Sequence, residues 1–460
     1  MSTYHDRSKL TRRDFMRLTG GSALALGAVP WLTTCGDPSG PGGQNPLRIP
    51  PEVSPGGLVL TPQPGSVDLG GGATSPAFGY NGSFPGPTIK ARQGDNLSIR
   101  LQNSLAQPTT IHWHGMIVPS AADGHPQQAV QPAGSYTYQF SIAQRACMNW
   151  YHPHPHMLTG EQIYKGLAGA FIIRDAEEDA LGLPSGAHEL PLILRDAKLD
   201  ASGNLQFGSA TTIFMGDFPL VNGVRDAGID VEATRYRLRI LNGANARVFR
   251  LTLSNSQPMT LIGNDGGLLA SATQQSILDL GPAERLDLLV DFSSLNVNDT
   301  VTLRDSTGNF DLLKFIVTAR GSSPGALPQA LSTITPLANP VTTRSFSFNG
   351  ANAVNGITFD MNRVDFQVPF GDVELWRFST NSNAPHPIHV HGGLFQVQTR
   401  TGGRGQVFPW ERGWKDTVLM QDAETVEVLI KFETYRGLYI LHCHRLDHED
   451  GGMMLNFEVV

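Results

Sequence analysis

Three cysteines among 460 residues cannot make a disulfide framework, so the fold is not stapled covalently. Charge is scarce as well. Only 16% of residues are charged, and 34 Lys and Arg stand against 41 Asp and Glu, a net charge of −7. A pI near 6 leaves no basic excess with which to bind nucleic acid. No apolar run reaches the ~18 residues that a membrane-spanning helix needs. What the chain has in quantity is turn formers, 50 Gly and 31 Pro. With so few charges, that composition reads as many short strands joined by turns and not as helical bundles. At ~150 residues per domain, the length suggests about three domains.

The first segment reads as a targeting signal. Thr11-Arg12-Arg13-Asp14-Phe15-Met16-Arg17 resembles the twin-arginine export motif, and Leu18 to Leu32 is a weakly apolar, Gly- and Ala-rich stretch. Residues 1–35 are therefore expected to be a twin-arginine signal peptide, directing a folded protein to the periplasm or beyond. Leu32-Thr33-Thr34-Cys35 loosely resembles a lipobox, although Thr is a poor residue before the Cys. A lipid anchor at Cys35 stands there as the alternative to a linker cysteine or to cleavage just upstream. Residues 36–57, rich in Gly and Pro, are expected to be a flexible linker.

From Leu58 onward, apolar and polar residues alternate in short runs, as in Asn96-Leu97-Ser98-Ile99-Arg100-Leu101 and Tyr136-Thr137-Tyr138-Gln139-Phe140, a strand signal. Three blocks follow, at 58–175, 176–325 and 326–460. The middle block holds one histidine, His188, and no cysteine, and is expected to bind no metal. The outer two look like copies. His112-Trp113-His114-Gly115 echoes His389-Val390-His391-Gly392, and His152-Pro153-His154 echoes His442-Cys443-His444, with Pro153 where the cysteine would stand.

Ten of the 14 histidines fall in four clusters: His112/His114, His152/His154, His386/His389/His391 and His442/His444/His448. Side chains alternate faces along a strand, so Cys443 points away from His442 and His444. His386 likewise points away from His389 and His391. A Cys thiolate, two His and a weak axial Met form the ligand set of a blue-copper site, and His386, Cys443, His448 and Met453 supply one. Met454 would alternate to the other face. His112, His114, His152, His154, His389, His391, His442 and His444 remain as eight imidazoles for a separate cluster. Since each copy carries only half of them, the cluster must lie where the first and third blocks meet, with the middle block as a spacer. Cys147 reads as a buried core thiol.

These motifs, HWHG at 112–115, WYHPH at 150–154, HPIHVHG at 386–392 and HCHRLDHEDGGMM at 442–454, resemble those of the bacterial three-domain multicopper oxidases, the laccase-like group. Softer likenesses are Val221-Asn222-Gly223, Arg239-Ile240-Leu241-Asn242 and Trp414-Lys415-Asp416-Thr417-Val418. The resemblance implies an all-β protein of three cupredoxin-like Greek-key β-sandwich domains holding four copper ions. His386, Cys443, His448 and Met453 would bind the type 1 copper, and His112 and His389 the type 2 copper. His114, His152, His154, His391, His442 and His444 would bind the type 3 pair. His156 extends the second motif but lies beyond the family's ligands. A small reducing substrate would deliver electrons near an exposed edge of His448 or His386, and dioxygen would take four electrons and four protons at the cluster. Asp123 and Glu449 are the acids placed to relay those protons.

Two enzymatic readings follow from the resemblance, oxidation of phenolic and aromatic donors or oxidation of cuprous or other metal ions in copper tolerance. The cuprous oxidases resembling this chain carry a Met-rich insertion and acidic or thioether residues ahead of the HPxHxH motif. Here Asn381-Ser382-Asn383-Ala384-Pro385 offers neither, and no Met lies between 260 and 360. The aromatic-donor reading is therefore preferred. A non-catalytic scaffold, as in cell-division proteins of similar architecture, is disfavoured because those chains have lost ligands that this one keeps. Nothing in the sequence specifies the physiological donor or an oligomeric state.

Overall fold

A computed structural model of the chain describes residues 44–72 and 74–460; residues 1–43, on which the expected signal peptide, Cys35 and the first part of the expected linker fall, lie outside the described residues. The expected all-β class is what forms, with 46% strand and 6% helix. Alternation is the local cause. In Asn96–Gln102 the residues Leu97, Ile99 and Leu101 are buried while Asn96, Ser98 and Arg100 are exposed, and the strand pairs antiparallel with Ser135–Ser141. Strands nearer the site are buried on both faces, as Cys147–His152 is along its whole length.

The outer blocks share a sheet plan. In the first, the order runs Glu52–Val53, Thr88–Arg92, Gly169–Arg174, Cys147–His152, His112–His114. In the third it runs Phe366–Val368, Met454–Val459, Gly437–Cys443, His386–Val390, Thr417–Met420. His152 stands opposite His112 in one register, and His442 opposite His389 in the other. The repeat read from the motifs is therefore a repeat of pairing. The middle block supplies one six-stranded sheet and five strands of a second, which Asn45–Pro46 extends to six, around an apolar core that includes Leu238, Phe249, Leu288 and Phe315.

One expectation is corrected. Residues 44–57 were expected to continue a flexible linker, yet Asn45–Pro46 pairs with Ala227–Gly228 of the middle block and Glu52–Val53 pairs with Thr88–Ile89 of the first. Open strand edges accept any chain that can reach them, and Arg48 holds this one by donating to the carbonyls of Phe84 and Asp68, each at 3.0 Å. The middle block, expected to be a spacer, packs on both neighbours. Ile193, Leu241 and Ala283 join Met148, Trp150 and Ile172 of the first block and Leu446 of the third in one apolar cluster.

Candidate metal centre

Strand Gly437–Cys443 lies between Met454–Val459 and His386–Val390. Ile388 stands opposite Cys443 and His389 opposite His442, so the pleat sorts the site into two faces. On one, Cys443 Sγ lies 3.6 Å from Nδ1 of His386 and 3.6 Å from Nδ1 of His448. The short helix Leu446–Asp450 turns His448 back toward the cysteine, and the Met453 amide donates to the His448 carbonyl at 2.9 Å. Met453 packs in the same core cluster as Cys443, whereas Met454 joins Phe359 and Ile440 in another.

On the opposite face, and from the first block, eight imidazoles converge. His112 Nε2 is 3.3 Å from His389 Nε2, and His391 Nε2 is 3.1 Å from His442 Nε2. His152 Nε2 is 3.4 Å from both His114 Nδ1 and His444 Nε2. His154 completes a third group with His391 and His442, the three ligand atoms lying within 4.8 Å of one another. All eight are buried.

The second nitrogen of each ring decides what the first can do. His112 Nδ1 donates to the Asp123 carbonyl at 2.7 Å and His389 Nδ1 to the Asp416 carbonyl at 2.8 Å. His391 Nδ1 donates to the Asp123 carboxylate at 2.8 Å, and His152 Nδ1 to the Pro153 carbonyl at 2.8 Å. These acceptors hold the proton on Nδ1, so the facing Nε2 atoms present lone pairs to each other. His114 is reversed. Its Nε2 lies 3.1 Å from the Asp416 carboxylate, leaving Nδ1 toward the cluster.

Burial, reinforced by neighbouring imidazoles, pushes the pKa values of His114, His152, His389 and His391 well below the ordinary histidine range. Burial likewise pushes His154, His386, His444 and His448 down to about 3. The rings are therefore neutral, the form that binds metal. Facing lone pairs repel unless a cation lies between them, and two donors bound to one ion at roughly 2 Å stand about 3.3 Å apart at a tetrahedral angle. Burial pushes the Cys443 thiol upward, so it becomes a thiolate only beside a bound cation. Soft thiolate with imidazole in one set, and imidazole alone in the other, suits copper. The residues fit the metal.

Of the two acids named from sequence, Asp123 is fully buried and bridges both blocks, since its carboxylate holds His391 while its carbonyl holds His112. Glu449 lies 3.3 Å from His442 Nδ1 and 3.5 Å from His154 Nε2. The expected exposed edge at the other face is not present. His386 and His448 are 0% and 2% exposed, because the Arg445–Asp447 pair, joined at 2.8 and 2.9 Å, packs beside His448. His156 is partly exposed against Phe359. Cys147 is a buried thiol hydrogen-bonded by Asn149 at 3.2 Å, its pKa raised by burial to about 11.

Sequence reasoning quoted Trp150, Asp416 and Thr417 within its motifs but gave them no role, and it gave none to Arg285. Trp150 packs on His152 with ring centroids 4.1 Å apart. Thr417 Oγ1 lies 3.2 Å from both His114 Nε2 and His389 Nδ1. Asp416 precedes the apolar strand Thr417–Met420 and Arg285 opens the strand Arg285–Asp291, but only their meeting across blocks gives either a task.

Sequence profiles described as multicopper oxidase match residues 62–178, 196–308 and 329–460. A multicopper oxidase of Staphylococcus aureus is 32% identical over 432 residues, covering 91% of this chain and 93% of the relative. The cell division protein FtsP of Dickeya dadantii is 32% identical over 96% of this chain and 97% of its own length. Among solved structures, a laccase from Pediococcus acidilactici superposes with a TM-score of 0.86 at 34% identity, over 91% of this chain and 94% of that one. A metallo-oxidase from Campylobacter jejuni does so with a TM-score of 0.77 at 27% identity, over 90% and 96%.

Proposed function

From the premise that this chain belongs to the multicopper oxidase family, we propose that it couples one-electron oxidation of phenolic and other aromatic donors to the four-electron reduction of dioxygen to water. The observation that carries the reading is the two-faced strand ending at Cys443, whose thiol meets His386 and His448 while its neighbours His442 and His444 join the imidazole cluster. In this reading His386, Cys443, His448 and Met453 would hold a type 1 copper. His112 and His389 hold a type 2 copper. His114, His152, His154, His391, His442 and His444 hold a type 3 pair, four ions in all. When bound, copper supplies the one-electron redox steps and the place where dioxygen is reduced.

The chain's own residues do the rest. Cys443 offers electrons a covalent route, since its peptide bonds run directly to His442 and His444. Burial of the cluster excludes bulk water, so protons must arrive through side chains. Three carboxylates, Asp123, Glu449 and Asp416, contact the imidazoles; Asp416 is tied to Arg285, and the other two are each assigned to proton transfer at that face. The donor's electron enters across the Arg445–Asp447 cover above His448. The partition at 58–175, 176–325 and 326–460 is retained as the domain organisation. The likeness of residues 11–17 to the twin-arginine motif supports export to the periplasm or beyond, with Cys35 as a candidate lipid anchor.

The likeness to the Pediococcus laccase supports an aromatic donor, and the absence of carboxylate or thioether in Asn381–Pro385 weighs against a cuprous site. The likeness to the Campylobacter metallo-oxidase keeps metal-ion oxidation as the second reading. Dioxygen uptake by copper-loaded protein, measured in parallel with a phenol and with Cu(I), separates the two. Faster turnover of the phenol is expected, and turnover of Cu(I) alone would overturn the substrate assignment.

A further inference from the structure

Arg285 opens the middle-block strand Arg285–Asp291 and is 1% exposed. Its guanidinium reaches out of that block in two directions. Nε donates to the Met148 carbonyl of the first block at 3.1 Å. Nη1 donates to Asp416 Oδ1 of the third block at 2.8 Å, and Nη2 pairs with Asp416 Oδ2. A planar fork meeting a carboxylate edge-on fixes orientation as well as charge, which an ammonium cannot do. The Arg285 backbone is itself held, since its amide donates to Asp265 Oδ1 at 2.8 Å. Asp265 is in turn anchored by buried Lys415 at 2.9 Å.

Asp416 carries that orientation into the cluster. Oδ1 receives the Thr417 hydroxyl at 2.9 Å and faces His114 Nε2 at 3.1 Å and His389 Nδ1 at 3.5 Å. One carboxylate thus touches an imidazole from each outer block. With Oδ1 turned toward it, His114 must keep its proton on Nε2 and present Nδ1, the reverse of His112, His152, His389 and His391. Free rotation of the carboxylate would release that constraint. Room for the pair comes from Gly115, immediately after His114, where a Cβ would stand 2.6 Å from Arg285 Nη2, Asn149 Oδ1 and Asp416 Oδ2 alike.

We propose that Arg285 of the copper-free middle block is a positioning residue for the histidine cluster, holding the Asp416 carboxylate in the one orientation that sets the His114 tautomer and seats His114 against His389. The middle block then contributes to dioxygen reduction without contributing a ligand. This rests on the oxidase reading above, but its test separates from that reading, because wild-type protein alone answers whether the enzyme is a blue oxidase.

The test uses copper-loaded, full-length Arg285→Lys and Arg285→Met. Four quantities are compared with wild type: copper per chain, blue-band intensity, the type 2 electron paramagnetic resonance signal, and the rates of anaerobic reduction and aerobic reoxidation. Arg285→Lys keeps the buried charge balanced and loses only the fork. It is expected to keep the blue band and the donor-driven bleaching rate, while the type 2 hyperfine pattern changes and reoxidation slows by about ten-fold, the usual scale for a displaced outer-sphere group. Arg285→Met is expected to lose copper from the histidine cluster while retaining the blue site. A wild-type type 2 signal and reoxidation rate in Arg285→Lys would overturn the proposal. So would loss of the blue band together with the type 2 signal in both variants, which would mark the pair as support for the fold as a whole.

Discussion

Cys443 is where the two metal environments converge, so its replacement is the sharpest probe at the scale of the residue. Cys443→Ser should abolish the blue absorption and lower dioxygen uptake to a few per cent or less of wild type, with far-ultraviolet circular dichroism unchanged. A hydroxyl supplies neither the soft ligand nor the electron exit. The acids assigned to proton transfer would act on the other half of the proposed cycle. Asp123→Asn and Glu449→Gln, made singly, keep side-chain volume and remove a proton carrier. Anaerobic bleaching of the blue band should stay near the wild-type rate while reoxidation by dioxygen slows by 10- to 100-fold, on the order expected for a lost general acid or base. Stopped-flow measurement of the two half-reactions checks this, and slowed bleaching with normal reoxidation would move both acids to donor binding. At this scale the sequence spoke clearly for histidines, because H-x-H spacing on a strand is itself geometry. It placed Asp416 in a family-like stretch but gave it no task, because its partners lie 302 residues away at His114 and 131 away at Arg285.

Strands and the turns that end them are the next scale. His112–His114 stops at Gly115, which has a φ of +82°, a region that disfavours any Cβ. Gly115→Ala therefore meets both backbone strain and the Arg285–Asp416 pair. Destabilisation of about 2–4 kcal/mol is expected from a strained φ combined with overpacking, read as a lowered midpoint in denaturant, with loss of the type 2 signal ahead of the blue band. If the blue band fails first, the strain is felt by the third block and not by the turn. Strand positions such as Asn96–Gln102 and Ser135–Ser141 were legible from alternation alone. The pairing of 44–57 was not, since Pro and Gly obscure periodicity and the partners are edges supplied by two other blocks.

Across the whole molecule, the middle block is joined to the first by a buried charge cluster. Glu178 receives Arg237 Nη2 and Arg239 Nη2, each at 2.8 Å, and pairs with Arg174 at 2.5 Å. Burial alone would raise its pKa, but Arg239, Arg237 and Arg174 overcome that and hold it down at about 2. A carboxylate whose folded pKa lies below its unfolded value stabilises above the unfolded value and loses that contribution as pH falls. Unfolding stability should therefore decline from about pH 4.5 toward 2, by up to about 3 kcal/mol from this group. Denaturant titrations across that window test it. Glu178→Gln should be less stable at neutral pH and show a flatter acid limb; an unchanged limb would assign acid sensitivity to other carboxylates.

What the sequence determined by itself was the strand-rich class, the repeat of the outer blocks and the sorting of ligands onto two faces. Each follows from a short-range rule, period-two alternation or i, i+2 spacing, that survives without knowing where the strand goes. Tertiary structure alone decided which face of each imidazole is free, how deeply His386 and His448 are covered, and that a block without ligands reaches the cluster through Arg285. Those properties depend on groups brought together from all three blocks. The sign of a hydrogen bond or a buried charge is set by its partner, and no local pattern names a partner that distant.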